Sequence, residues 1–182
     1  MRVAPASPVV LVLASGRGER FVASGGQGSK LEALLAGKPV LAWTLDAVRA
    51  SGLPFHVEDA GHPGMGDSIA AAVRATRNAG GWLVLPGDLP LVRTATILAV
   101  AGALRHADVV IPTSRGTRGH PVGFAARCGE ALAVLQGPKG AASVVQAFGA
   151  TELPVQDEGI LVDVDTVQAL REAEAIVRAQ DG

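Results

Sequence analysis

Short runs of apolar, β-branched residues alternate along the chain with longer, alanine-rich amphipathic segments. The runs that predict β-strands are "PVVLVLA", "PFHVED", "WLVLPGD", "ADVVIPT", "HPVGF" and "GILVDVD". The segments that predict helices are "PVLAWTLDAVRAS" from Pro39, "GDSIAAAVRATRNAG", "RTATILAVAGALRHA", "GEALAVLQG", "AASVVQAFG" and "TVQALREAEAIVRAQ". Apolar strands that alternate with helices are typical of a parallel sheet covered on both faces. The pattern predicts an α/β fold, a three-layer αβα sandwich with a mostly parallel, Rossmann-like sheet.

Length and composition narrow the class of protein. The chain has 182 residues without a fixed-period repeat or a long linker, so we expect one domain over residues 1–182. Sixteen basic residues against 17 acidic ones, with 3% aromatic residues, indicate neither a nucleic-acid partner nor a membrane surface. No apolar run approaches the roughly 18 residues of a membrane span. A single cysteine and the lack of a cleavable leader pattern predict a cytoplasmic protein.

The stretch "LASGRGERFVASGGQGSK", residues 13–30, follows the first predicted strand and is rich in glycine and basic residues. Glycines let backbone N–H groups approach a ligand closely, and Arg17, Arg20 and Lys30 offer charge for phosphates. The alternative is a mobile surface loop. Neither G-x-x-x-x-G-K-[ST] nor G-x-G-x-x-G is matched, because Phe21 stands at the third glycine position of the latter. A polyphosphate is the ligand that this loop favours.

Carboxylates follow two of the predicted strands. Asp88 comes after "WLVLPG", while Asp163 and Asp165 lie two apart at the end of "GILVDVD", on one face of that predicted strand. The alternatives are a turn aspartate at Asp88 and a helix N-cap at Asp165. Carboxylates near a basic glycine loop suit Mg²⁺, which takes oxygen ligands and bridges to substrate phosphates. The combination favours phosphoryl or nucleotidyl transfer.

The order of these motifs carries a resemblance that spans nearly the whole chain. The motifs are "LASGRGERF", "GSK", "GKPVLAWTLDAV", "GMGDSIAAAV", "LPGDLPLV", "RGHPVGF", "GPKGA" and "LVDVDTVQAL". Together they resemble the nucleotidyltransferases of molybdenum cofactor biosynthesis, and most of all the cytidylyltransferase branch. The resemblance implies a fold of the nucleotide-diphospho-sugar transferase type. It also implies Mg²⁺-dependent transfer of CMP from CTP to the terminal phosphate of molybdopterin, with release of pyrophosphate and with a molybdenum hydroxylase as the recipient of the product.

The same resemblance assigns roles to individual residues. Arg17, Lys30 and Asp88 are the expected catalytic residues, and Asp88, Asp163 and Asp165 the expected Mg²⁺ ligands. The expected nucleotide-binding residues are Leu13, Ala14, Ser15, Gly16, Arg17, Arg20, Lys30, Gly66, Ser68 and Gly87. The expected acceptor-binding residues are Arg118, Gly119, His120, Pro121 and Lys139, of which "RGHPV" resembles the segment that faces the pterin.

Departures from the family pattern leave alternatives open. Ser15 replaces the residue that helps to separate cytosine from guanine users, so a GTP- or sugar-phosphate-using transferase is one alternative. The loop before Lys30 is long, and one βα unit is absent before "GMGDS", with "PFHVED" expected beside the first strand. A non-catalytic cofactor-binding maturation protein is therefore a second alternative.

Several other side chains have a structural interpretation. Asp67 or Ser68 could cap the helix that follows, and Lys139 could lie in a simple turn. His56, His62 and His106 lack zinc spacing and are expected at the surface or in turns, and Cys128 is expected to fill apolar space. No flavin or nicotinamide fingerprint supports redox chemistry.

Overall fold

The structure, a computed structural model, describes residues 6–180. The strands in this range are β1 (Val9–Leu13), β2 (Leu34–Leu35), β3 (Lys38–Pro39), β4 (Phe55–Glu58), β5 (Gly81–Pro86), β6 (Val109–Ser114), β7 (Thr117–Arg118), β8 (Val122–Ala125) and β9 (Ala150–Pro154). The α-helices are α1 (Glu19–Ala23), α2 (Val40–Ala50), α3 (Met65–Ala75), α4 (Thr94–Ala103), α5 (Gly129–Ala133), α6 (Ala142–Phe148) and α7 (Val167–Gln180). Two 3₁₀-helices span Ala126–Cys128 and Glu158–Leu161. No helix among these residues is long and apolar enough to cross a bilayer.

A mixed sheet forms the centre of the molecule. Its order is β4-β1-β5-β8-β6-β7, and β9 also pairs with β6. The pairs β1–β4, β1–β5 and β6–β9 are parallel, whereas β8 runs antiparallel to both of its neighbours. The predicted α/β class with a mostly parallel sheet is confirmed, and β8 is the antiparallel strand that joins its two parallel parts.

Alternation along the strands explains the two flanking layers. In β1, Leu11 packs on one face of the sheet, in a buried cluster with Ile69 of α3. Val12, which points to the opposite face, shares a cluster with Val48 of α2 and Ile97 of α4. Strands buried on both faces must be apolar at successive positions, which is why these runs lack the apolar–polar alternation of a half-exposed strand.

Two parts of the predicted pattern are wrong. The segment "GILVDVD" is not a strand, because it begins within a 3₁₀-helix and continues as an irregular segment. A Cβ on Gly159 would lie 2.0 Å from the Leu91 carbonyl oxygen, so this segment crosses too close to its neighbour for an ordinary side chain. The last strand is instead β9, a largely exposed segment without a continuous apolar run. The pattern of apolar runs did not predict α1 or the β2–β3 hairpin.

The edge of the sheet agrees with the expected strand arrangement. β4 pairs directly with β1, with Val10 opposite Phe55 and Leu13 opposite Glu58. From β4 the chain passes through residues 59–64 straight into α3. The carboxyl end of β4 therefore lies beside the carboxyl end of β1, where the glycine-rich loop begins.

Candidate active site

The site lies at the carboxyl ends of β4, β1 and β5, which share one edge of the sheet because the three strands are parallel. In open α/β sheets, ligands bind among the loops at this edge. A cavity of about 310 Å³, here called the first cavity, opens among them. Its lining residues are Leu13, Ser15, Gly16, Arg17, Glu19, Lys30, Leu31, His62, Pro63, Gly64, Met65, Ser68, Pro86 and Asp88.

The glycine-rich loop is anchored on the protein at its centre. α1 interrupts it, and Phe21 of that helix is 3% exposed. Gly26 packs on the Phe21 ring so closely that a Cβ at this position would lie 2.3 Å from a ring carbon. Ser24 Oγ donates to the Phe21 carbonyl oxygen and accepts from the Val167 N–H at the start of α7. The phenylalanine that breaks the dinucleotide motif is thus the core anchor of the loop.

Lys30 joins two carboxylates that lie far apart in the sequence. Its Nζ lies 2.5 Å from Asp88 Oδ2 and 2.5 Å from Asp165 Oδ1, and Arg20 Nη2 lies 2.5 Å from Asp165 Oδ2. The side chains of Lys30, Asp88 and Asp165 are 13%, 12% and 14% exposed. The backbone supports this pairing, since the Val164 N–H donates to the Asp88 carbonyl oxygen at 2.9 Å. A nearly buried ion cluster therefore closes one end of the first cavity.

The cluster shifts the pKa values of its members. Burial alone would lower the pKa of Lys30, but the charge of Asp88 and the hydrogen bonds to Asp165 and Asp88 raise it above its ordinary value. Burial opposes ionisation of Asp165, yet Lys30, Asp163 and Arg20 hold its pKa below the usual range. Partial burial and the neighbouring Asp165 carboxyl raise the pKa of Asp163. Lys30 is thus held as a cation between Asp88 and an ionised Asp165.

A second cavity, of about 500 Å³, lies on the other side of this cluster. Its lining residues are Arg20, Lys30, Met65, Pro86, Asp88, Leu89, Thr117, Arg118, Gly119, His120, Ile160, Leu161, Asp163 and Asp165. Lys30, Met65, Pro86 and Asp88 line both cavities and form a shared wall. Two ligands bound in the two cavities would meet at Lys30 and Asp88.

The "RGHPV" segment forms part of the second cavity through a close backbone contact. The His120 N–H donates to the Ile160 carbonyl oxygen at 3.3 Å, and a Cβ on Gly119 would lie 2.5 Å from that same oxygen. Burial lowers the pKa of His120, against a smaller opposing effect of Asp88. The Arg118 side chain reaches Glu152 at 2.8 Å and remains exposed. This segment presents a nearly neutral imidazole and a guanidinium to the cavity.

The carboxylates fit a Mg²⁺ ion that keeps water and substrate ligands. Within residues 6–180, Asp88 Oδ1 is buried without a hydrogen-bond partner, and it belongs to the wall between the two cavities. No group of three histidine, cysteine, aspartate or glutamate side chains in that range converges as a closed metal cage requires. Mg²⁺ is commonly bound by one or two carboxylates together with substrate phosphates. Asp88 and Asp165 supply that number, and the Lys30 ammonium lies between them.

Two alternatives for single residues are decided by hydrogen bonds. Thr166 Oγ1 accepts from the Ala169 N–H at 3.1 Å, so Thr166 caps α7 while the Asp165 carboxylate bonds to Lys30 and Arg20. Among the described residues, no side chain caps the N-terminus of α3. Asp67 accepts instead from the Gly137 N–H at 2.8 Å. Ser68 Oγ lies 2.7 Å from Ser15 Oγ within the first cavity.

Some residues expected at the site lie outside the linings of the two cavities. The N–H groups of Ala14, Gly66 and Gly87 donate to the carbonyl oxygens of Glu58, Gly137 and Leu13. Through these backbone hydrogen bonds, the three residues stabilise the strand ends and the start of α3. Pro121 follows His120 through a cis peptide bond, and Lys139 is exposed in the turn before α6. The expected ligands Leu13, Ser15, Gly16, Arg17, Lys30 and Ser68 do line the first cavity, and Arg20 lines the second.

The sequence pattern did not predict a cluster of one glutamate and two histidines beside the first cavity. Glu58 ends β4 and is 8% exposed, and its carboxylate contacts His62 Nε2 at 3.0 Å and His56 Nε2 at 3.3 Å. His62 lines the first cavity. The sequence signal for this cluster is an acidic residue at the end of a predicted strand with a histidine four residues later. A search for zinc-binding spacing does not detect that pattern.

Known structures share this fold. Rv0371c from Mycobacterium tuberculosis H37Rv matches with a TM-score of 0.80 at 23% identity, over 95% of this chain and 100% of that chain. A complex of Rv0371c with manganese matches with a TM-score of 0.74 at 22% identity, over 93% and 99% of the two chains. Molybdopterin-guanine dinucleotide biosynthesis protein A from Archaeoglobus fulgidus matches with a TM-score of 0.69 at 22% identity, over 94% and 99%. A search of curated proteins found no match.

A protein-family model matches the central part of the chain. The MobA-like NTP transferase domain matches residues 46–153, more than half of the chain. The matched range contains Asp88 and the "RGHPV" segment, whereas the glycine-rich loop and Asp165 lie on either side of it. The chain therefore belongs to the MobA-like NTP transferase family.

Proposed function

We propose that residues 1–182 form one cytidylyltransferase domain, which transfers CMP from CTP to the terminal phosphate of molybdopterin and releases pyrophosphate. The observation that carries this proposal is the pair of cavities that share the wall of Lys30 and Asp88. A transferase needs a donor and an acceptor whose reacting atoms meet, and a common wall with charged groups provides that meeting point. The lone buried cysteine suits a cytoplasmic enzyme.

The first cavity is assigned to CTP. Ser15, Gly16 and Arg17 line it where β1 ends, so that the loop lies over the triphosphate. Lys30 lies at the shared wall and neutralises charge on the transferred phosphate, and Arg17, whose side chain is 73% exposed, is assigned to the outer phosphates. Catalysis of phosphate transfer depends mostly on positioning and on stabilisation of charge, which these residues supply without a protein nucleophile.

The second cavity is assigned to the acceptor. Arg118 and His120 line one side of it, and Arg20 lies on the side of Asp165. An oxygen of the acceptor phosphate attacks the α-phosphorus of CTP, the bond from that phosphorus to the bridging oxygen breaks, and pyrophosphate leaves with the electron pair. The acceptor phosphate is already ionised near neutral pH, so no general base is needed.

The metal is assigned to the shared wall. Asp88 and Asp165 would hold Mg²⁺, with Asp163 beside them as an outer ligand or as a third direct one. The bound ion supplies positive charge for the phosphate oxygens. Lys30 contacts the same two carboxylates and balances part of their charge.

The alternatives to this proposal differ from it in the base of the nucleotide and in the acceptor. The Archaeoglobus relative is named for a guanine dinucleotide, and the family resemblance implies that Ser15 occupies the position that helps to separate cytosine from guanine users. A transferase that uses GTP or a sugar phosphate would keep the same shared wall. A binding protein that delivers cofactor to a molybdenum hydroxylase would keep both cavities but would show no turnover.

Pyrophosphate release tests the proposal. Purified protein is mixed with molybdopterin and CTP, GTP, ATP or UTP, each with and without Mg²⁺. We expect CTP- and Mg²⁺-dependent release that falls about a thousandfold in Asp88→Ala, since that residue belongs to both cavities. Asp46→Ala changes an exposed aspartate and is the matched control. Tight nucleotide binding without turnover in any combination would support the binding protein instead.

A further inference from the structure

His62 lies in the first cavity on a support of its own. Glu58 Oε1 accepts from His62 Nε2 at 3.0 Å, Oε2 accepts from His56 Nε2 at 3.3 Å, and the Ala60 N–H adds a third donor at 3.3 Å. The Glu58 side chain is 10% exposed and the His62 side chain 22% exposed. A buried carboxylate with three donors is a fixed anchor, so the His62 ring is held in place at the cavity wall.

The position of His62 within the first cavity indicates which part of a nucleotide it would meet. The cavity extends across the ends of β5, β1 and β4, and its β5 end is the wall that it shares with the second cavity. A phosphate that is transferred to an acceptor must lie at that wall. His62 is held by Glu58 at the end of β4, on the far side of β1 from Pro86 and Asp88, so it lies toward the opposite end, where it offers a ring in place of a lysine or an arginine. The base, which carries no charge, belongs at this end.

Glu58 also selects the form of the imidazole. Burial opposes the charge of Glu58, but the hydrogen bonds from His62, His56 and the Ala60 N–H lower its pKa below the usual value. An ionised carboxylate only accepts hydrogen bonds, so the proton of the His62 ring is assigned to Nε2. In the neutral ring Nδ1 is then left as an acceptor. An acceptor pairs with the exocyclic amine of cytosine and repels the carbonyl oxygen at the same position of uracil.

We propose that His62, oriented by Glu58, is a specificity-determining residue that selects a pyrimidine nucleotide with an exocyclic amino group, CTP over UTP. Glu58 is the positioning residue, since it acts through His62. This inference rests on the proposed nucleotidyltransferase function and extends it to a residue of the base end. CTP and UTP have nearly the same size and the same phosphates, so their ratio isolates this one contact.

Calorimetric titration with CTP, UTP and tripolyphosphate, each with Mg²⁺, tests the proposal on the whole chain. We expect the wild-type protein to bind CTP about tenfold more tightly than UTP, and His62→Ala to bring this ratio close to one. Tripolyphosphate affinity stays unchanged, because it has no base. His56→Ala is the matched control: it removes the other partner of Glu58 from outside the cavity lining and keeps the ratio.

Two further variants separate recognition from folding. His62→Phe keeps a ring in the cavity and removes the acceptor, so it loses the CTP preference as His62→Ala does. Glu58→Gln lets an amide N–H donate to His62 Nε2 and moves the ring proton to Nδ1, which shifts the ratio toward UTP. Equal binding of CTP and UTP by the wild type, or an unchanged preference in the two His62 variants, overturns the inference alone. If the wild type binds no nucleotide, the proposed function fails together with it.

Discussion

The two cavities on either side of Lys30 and Asp88 are built in different ways. The first is formed where three parallel strands end, and the register of β1 with β4 and β5 sets its floor. The second is formed by β7, the turn to His120, a 3₁₀-helix and the irregular segment that carries Asp163 and Asp165. Isolated backbone hydrogen bonds, such as the one from the His120 N–H to the Ile160 carbonyl oxygen, connect its walls in place of continuous strand pairing.

The first cavity resists changes of shape more than the second does. A cavity set by strand register cannot change shape without repacking the core on both faces of the sheet. A cavity set by a few loop contacts can be reshaped by one or two substitutions. We therefore expect the nucleotide side to tolerate little change and the acceptor side to accommodate different acceptors on the same scaffold.

Lys30→Met gives the largest expected effect, because it acts on the wall that the cavities share. It leaves Asp88 and Asp165 nearly buried without their common cation, and we expect the free energy of unfolding to fall by about 2 kcal/mol in metal-free buffer. Urea unfolding with and without Mn²⁺ measures this, and Mn²⁺ should restore part of the loss. Lys139→Met, the same change at an exposed lysine, is the control. Equal stability of the two variants would contradict a structural role for the ion cluster.

Gly119→Ala tests whether the second cavity can be altered alone. The added Cβ would lie 2.5 Å from the Ile160 carbonyl oxygen, so the two walls of the second cavity must move apart. We expect a loss of stability of about 1 kcal/mol and about tenfold weaker use of the acceptor. The Kd for nucleotide should change less than about twofold. A matching loss of nucleotide affinity would mean that the two cavities are not independent.

Asp163→Asn gives the smallest expected effect and tests the electrostatics of the second cavity. The pKa of Asp163 is raised above its ordinary value of 3.8, so its charged form costs the folded state stability above that pH, and the cost disappears below it. Because Asp163 is only partly buried and remains largely accessible to solvent, we expect the midpoint of thermal unfolding to rise by only about 1 °C at pH 7 and to stay unchanged at pH 3. An equal rise at both pH values would indicate a packing effect rather than a charge effect.

Local patterns in the sequence were sufficient for most of the first cavity. β1 is an apolar run, and the residues after it must lie at its carboxyl end, so the pattern predicted Gly16 and Arg17 at the site, whereas Ser15 was expected there only from the family resemblance. The same reasoning placed Asp88 correctly at the end of β5. It did not find His62, because the buried partner of that histidine lies on a strand and its role appears only when β4 pairs with β1.

The second cavity shows where local patterns fail. Ile160, Val162 and Val164 alternate with other residues as a strand would, yet they lie in a 3₁₀-helix and an irregular segment. Their burial comes from packing against the rest of the molecule, which does not require a strand ladder. Conversely, β9 is largely exposed and has no continuous apolar run, yet it forms a strand because it pairs with β6.

The amino-acid sequence by itself determined the α/β class, the two-sided burial of the strands and the placement of the glycine-rich loop, since these depend on periodicity and on the conformational freedom of nearby residues. Only the tertiary structure decided that Lys30 lies between Asp88 and Asp165, that Thr166 caps α7, and that Glu58 holds His62. The physical reason is the sequence separation of the interacting residues. Hydrophobic periodicity reflects positions a few residues apart, whereas a buried charge pairs with any segment that the fold brings within about 3 Å.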